Sequence, residues 1–282
     1  MAVKILIDSA SDLNQEKANE LGIVLMPIKV QFGEEEFLDG INLLPSDFYD
    51  KLTSSKELPQ TSLINEYQFE EKFKELTQNG DDVVAITLSS KLSGTYNCAN
   101  EASKKFEGKV FVVDSLNACL GERILGEYAL ILANEGLSAK EIATKLNEKK
   151  TKIHVTAVID TLKYLKKGGR ISAATAFVGE MLSIKPLVAV IDGEVKVIGK
   201  CHGIKKGYLL VCDSVKENGG IDFSMPHGLI WAGNDNTNIK NFKVISERFW
   251  KENEDDILLH RIGCTIGTHV GPGAIGVAFF EK

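Results

Sequence analysis

Apolar residues along the first half of the chain follow two rhythms. Short, mostly apolar runs occupy 3–7, 83–88 and 110–113, and each ends in small polar residues: Asp8-Ser9, Ser89-Ser90 and Asp114-Ser115. Between these runs the apolar spacing lengthens to three and four residues. Tyr67, Phe69, Phe73 and Leu76 recur in this way within a helix predicted over 66–78, with Asn65 as its cap. The pattern also predicts helices ending at Leu21 before Gly22, over 47–52 behind Ser46, and over 96–106, 120–135 and 139–149. Ser138 and Glu141 have the spacing of a capping box for the last of these. Residues 23–32 read as a strand that is bent or at an edge, because Pro27 interrupts it. Residues 34–39 read as an acidic turn and 56–62 as a loop. Strands alternating with helices at these intervals predict a parallel sheet in an α/β layer. The three polar strand ends then meet at one edge of that sheet, where open parallel sheets hold their ligands.

The rhythm changes after about residue 150. Strands are predicted over 153–159, 229–232 and 257–262, with a hairpin over 187–198 that turns on Asp192-Gly193. Helical patterns cover 161–165, 173–181, 203–215 and 239–250, and residues 267–280 read as a Gly-rich turn followed by a strand. This half is α+β. The expected division is an N-terminal α/β domain over 1–165 and a C-terminal α+β domain over 166–282.

Composition narrows the class. The chain has 282 residues, 44% apolar and 26% charged, with a formal charge of −6 spread along its length. That describes a globular domain pair without a nucleic-acid footprint. The first apolar run meets Asp8 too early for a signal-peptide core, and no run reaches the ~20 residues of a membrane span. The five cysteines are odd in number and form no CxxC pair, which predicts free thiols in a reducing cytoplasm. Neither they nor the five histidines have metal-ligand spacing. No GxSxG, GxxxxGK[ST] or HExxH is present, and no GxGxxG follows a strand.

Five stretches could carry chemistry. After the strand at 83–88, Ser93, Gly94 and Thr95 open a helix, where unpaired N–H groups and hydroxyls suit an anion. Read alone, they are ordinary helix-capping residues. Thr61-Ser62 offers two adjacent hydroxyls. Gly168-Gly169-Arg170 places a guanidinium on a flexible hinge, able to take a carboxylate or phosphate bidentately. His269 sits among Gly267, Gly271, Pro272 and Gly273, and reads as a histidine held in a rigid turn. Lys200, His202, Lys205 and Lys206 form a basic stretch at a helix start, either a solvated surface or a docking patch.

Four of these stretches sit in a set of longer ones, KILIDSASDL, LPQTS, LSSKLSGTYNCA, VVDS, DTLKYLKKGGRIS, SIKPLV and IGTHVGPGAIGVAFF, which run from end to end. Through them the chain resembles the DegV family of bacterial fatty-acid-binding proteins, which supply acyl chains to a fatty acid kinase. The resemblance implies a two-domain fold with a long-chain fatty acid in a buried tunnel between the domains. It implies carboxylate partners at Thr61, Ser62, Ser93, Arg170 and His269. It further implies no catalytic residue, no cofactor and no metal. A separate kinase subunit would act on the presented carboxylate, forming acyl-phosphate for phospholipid synthesis. That subunit would dock at Lys200, His202, Lys205 and Lys206, and transient contact with membrane lipid is a further implied partnership. Family members tend to read TSQPS where this chain has Thr61-Ser62-Leu63-Ile64-Asn65, and to carry an arginine near His202. Phe177, Met181, Leu182 and Phe279 are candidate tunnel residues, although each taken singly reads more readily as plain core. The alternative is an enzyme on a small anionic or acyl substrate, with Ser93 as nucleophile and His269 as base. No third orienting residue is evident for it.

Overall fold

A computed structural model describes residues 2–172, 184–250 and 257–282. In chain order the first half contains β1 (Val3–Asp8), α1 (Gln15–Leu21), β2 (Val24–Met26), β3 (Lys29–Phe32), β4 (Glu35–Leu38), α2 (Pro45–Ser54), β5 (Gln60–Ser62), α3 (Glu66–Thr77), β6 (Asp82–Thr87), α4 (Thr95–Ser103), β7 (Val110–Asp114), α5 (Leu120–Asn134) and α6 (Ala139–Lys149). The second half contains β8 (Ile153–Val158), α7 (Lys163–Lys167), β9 (Ile184–Ile191), β10 (Glu194–His202), α8 (Ile204–Glu217), β11 (Gly228–Trp231), α9 (Thr237–Trp250), β12 (Leu258–Arg261), α10 (Cys264–Val270) and β13 (Ile275–Phe280). The helix predicted over 173–181 lies outside the described residues, with Phe177, Met181 and Leu182.

Three sheets result. β2-β1-β6-β7 is the parallel sheet that the alternating pattern predicts. β10-β9-β8-β13-β11-β12 is a mixed sheet, and β4-β3-β5 a small antiparallel one. The run at 23–32 breaks at Pro27, whose missing N–H cannot join a ladder. Its first part is the edge strand β2 of the parallel sheet and its second part is β3 of the small sheet. The expected acidic turn is β4, and the expected loop closes as β5, paired with β3. Pro45 rather than Ser46 opens α2, at the position where its lost N–H costs nothing. Both predicted capping interactions form, Asn65 with Gln68 and Ser138 with Glu141. β8 pairs with β9 and β13, so the second sheet begins upstream of the boundary expected at residue 165.

The layers stack around α5. Phe69 and Phe73 of α3 cover Val83 and Ala85 on one face of the parallel sheet. Tyr208 and Phe242, from α8 and α9, cover Leu229 and Val277 on the outer face of the mixed sheet. α5 lies between the sheets and touches β1, β8 and β13. Two glycines let both sheets close on it. A Cβ at Gly121 would lie 2.4 Å from Val155 of β8, and one at Gly126 would lie 2.9 Å from Ile7 of β1.

Candidate functional site

The residues that the sequence singles out for anion binding come from four separate segments. Thr61 and Ser62 stand on β5, held in register by pairing with Val30 and Lys29. Ser93 lies in the loop after β6, whose polar end is tied from behind. Asp8 accepts from Leu88 N–H at 2.8 Å and Asp114 from Ser90 N–H at 3.1 Å. Ser89 donates across to the Gly193 carbonyl at 2.7 Å, so the turn between β9 and β10 clasps the same loop. Arg170 follows α7 after the left-handed Gly169, and its N–H closes back on the Leu165 carbonyl. Its Nε donates to the Leu92 carbonyl at 3.0 Å and its Nη1 to the Gly168 carbonyl.

His269 is not in a turn. It is the penultimate residue of α10, and the Gly-rich turn begins after it, with Gly271 and Gly273 at positive φ. Gly267 reads as a helix breaker in sequence. Inside α10 it gives the helix close contact with α2, where a Cβ would meet Phe48 at 2.6 Å. The N-terminus of α10 is pinned by the first half of the chain. Asp39 accepts from the N–H groups of Cys264 at 3.1 Å and Thr265 at 2.9 Å, and Asp12 from that of Gly263 at 2.8 Å.

All five of these residues, Thr61, Ser62, Ser93, Arg170 and His269, line one cavity of about 280 Å³. Most of the remaining wall is apolar, with Val155, Ala157, Val188, Val190 and Ile230 of the mixed sheet facing Leu88. Such a site takes a ligand with a small anionic end and a long apolar body. His269 Nε2 lies 2.9 Å from Thr61 Oγ1. Burial, with a smaller effect from the nearby Arg170 charge, pushes the imidazole pKa down to about 4, so the ring is neutral at pH 7. Burial also lowers the Arg170 pKa from its ordinary value.

Lys200, His202, Lys205 and Lys206 are exposed at the end of β10 and the start of α8, and none of them lines the cavity. Phe279 is not a tunnel residue. It points to the outer face of the mixed sheet and packs with α8 and α9, as plain core. The sequence reading does not single out Cys119, at the head of α5, or Thr265 of α10, although both line the wall. It gives Gly168 only as part of the hinge. A Cβ there would lie 2.2 Å from His269 Nδ1, so the glycine makes room for the ring.

A sequence model of the DegV family, described as uncharacterised, matches residues 2–282. The chain belongs to the DegV family. A DegV domain-containing protein of Caldanaerobacter subterraneus subsp. tengcongensis is 35% identical over 284 residues, covering 99% of each chain. Two solved DegV structures match over 100% of both chains at 27% identity. One is a fatty-acid-binding DegV family protein of Thermus thermophilus, with TM-score 0.88; the other is DegV of Bacillus subtilis, a fatty acid binding protein, with TM-score 0.84. The DegV fold, one parallel and one mixed sheet with a cavity between them, is therefore the fold of this chain.

Proposed function

We propose that this protein binds a long-chain fatty acid in the cavity and presents its carboxylate to a separate fatty acid kinase, which converts it to acyl-phosphate. The observation that carries the reading is the gathering of five polar residues, one with a guanidinium, at one cavity whose remaining wall is mostly apolar. The fatty-acid binding of the Thermus thermophilus and Bacillus subtilis proteins supports it. The energetics agree in sign. Each buried methylene contributes ~0.8 kcal/mol, and a buried carboxylate without partners costs several kcal/mol or takes up a proton. Thr61, Ser62, Ser93 and Arg170 offset that cost directly, and His269 through its hydrogen bond with Thr61.

The protein itself is a carrier and does no chemistry. In support, Ser93 and His269 do not hydrogen-bond to each other among the described residues: the serine pairs with Thr95 and the histidine with Thr61. The exposed cluster Lys200, His202, Lys205 and Lys206 serves as the kinase docking face, in the cytoplasm, with membrane lipid as a transient contact. Denaturing extraction of gently purified protein, followed by mass spectrometry, should recover one long-chain acid per chain. Protein that carries no acid and takes up none when it is supplied would sink the proposal.

A further inference from the structure

Two of the cavity hydroxyls accept hydrogen bonds from behind, and this decides where their protons point. Ser93 Oγ lies 2.9 Å from Thr95 Oγ1 and accepts from Thr95 N–H at 3.2 Å. Thr95 is fully buried at the first position of α4 and does not line the cavity. Ser93 is the single partner of its hydroxyl among the described residues. A buried hydroxyl with one available acceptor donates to it. Ser93 therefore receives two hydrogen bonds from Thr95, and its own proton is left for the cavity.

Thr61 repeats the arrangement with a different neighbour. His269 Nε2 faces Thr61 Oγ1, while His269 Nδ1 is buried without a hydrogen-bond partner and sealed against Gly168. The ring carries one proton. On Nδ1 it would be an orphaned buried donor, which folded proteins avoid more strictly than an orphaned acceptor. On Nε2 it is donated to Thr61. Thr61 is then also turned outward as a donor. Arg170 has no acceptor at all.

We infer that Thr95 and His269 are positioning residues that turn the Ser93 and Thr61 protons toward the cavity, so that with Arg170 they present donors to a ligand end rich in acceptors. This rests on the lipid-binding reading and sharpens it. The ligand class is the ionised acid or another fully deprotonated oxyanion. A primary amide or an alcohol of the same chain brings N–H or O–H groups against these outward protons, and each unpaired polar group lowers affinity by about tenfold or more.

The test compares binding of hexadecanoate, hexadecanamide and hexadecanol to the full-length protein and to Thr95→Val and Thr95→Ser. Val keeps the shape and removes the hydroxyl; Ser keeps the hydroxyl. Wild type should favour the acid over both analogues by about tenfold or more. Thr95→Val should lose most of that preference, by weaker acid binding and unchanged or tighter analogue binding, and Thr95→Ser should restore it. In 15N-labelled protein His269 should carry its proton on Nε2, with Nδ1 bare. The inference is overturned if wild type binds the three equally, if Thr95→Val weakens all three alike or changes none, or if the proton sits on Nδ1. Should wild type bind none of them, the lipid-binding reading falls as well, which separates the two failures.

Discussion

At the scale of single residues, His269 is held neutral by its surroundings, and that has a pH signature. Its pKa is about 4 in the folded protein against 6.5 for a free histidine. Between those values the unfolded chain takes up a proton that the folded one refuses. The stability that His269 leaves intact above pH 6.5 is therefore lost as pH falls toward 4, by up to about 3 kcal/mol. Urea unfolding from pH 7 to pH 4 should show this slope in the wild type and a shallower one in His269→Gln. Parallel curves would mean that the ring is hydrated and titrates normally. In the proposed complex Ser93 and Arg170 act on the ligand instead. Ser93→Ala should weaken acid uptake about fivefold or more by removing one hydrogen bond to a charged group, and leave the melting temperature within a few degrees of wild type. Undiminished uptake in that variant would place the headgroup elsewhere.

At the scale of elements, α5 carries an anomaly that the apolar rhythm hides. Glu122 lies in its first turn, fully buried between the sheets beside the buried Asp8. Burial and the neighbouring Asp8 charge hold its pKa well above the ordinary carboxylate range. Asp8 itself is raised to about 7, chiefly by burial. An acid whose folded pKa exceeds its unfolded value binds its proton more tightly in the folded state. Its contribution is present below the unfolded pKa and is lost as pH rises through the folded one. Glu122→Gln removes one of these protons from the balance. It should match wild type near pH 4 and be the more stable of the two at pH 7, by about 1 kcal/mol or more; equal stability at pH 7 would show that Glu122 ionises freely. Sequence periodicity does find the helix, because its apolar positions follow the 3.6-residue repeat. It does not single out Glu122 as buried, because a carboxylate is normally a surface residue and only the second sheet, paired through residues far along the chain, closes over it. The same limit explains other differences. β5 is three residues long and exists only by pairing with β3, and α10 holds Gly267 because α2 presses against it. By contrast Thr61, Ser93, Arg170 and His269 were legible because small hydroxyls, glycines and a lone arginine stand out from their local pattern. What the local pattern lacks is their convergence, and the backing of Ser93 by Thr95.

At the scale of the molecule, the cavity belongs to both sheets at once, and this should govern how it unfolds. Thr61 and Ser93 come from the first half of the chain, Arg170 and His269 from the second, and Arg170 bonds back to the Leu92 carbonyl. α5 fills the space between the sheets, and α10 is pinned by Asp12 and Asp39. Both halves contribute to one shared core and to the polar end of one cavity. A ligand that binds only this assembled state stabilises it by about 2.7 kcal/mol at a hundred times its Kd. Heating should therefore give one transition, and hexadecanoate should move that whole transition upward. Arg170→Ala should reduce the ligand-dependent shift far more than it lowers the transition of the free protein, since the free protein loses hydrogen bonds while the complex also loses the positive charge facing its carboxylate. Calorimetry of wild type and Arg170→Ala, each with and without the acid, measures both quantities in one set of scans. Two resolved transitions of which the acid shifts only one would mean that the halves fold separately and that one of them alone holds the ligand.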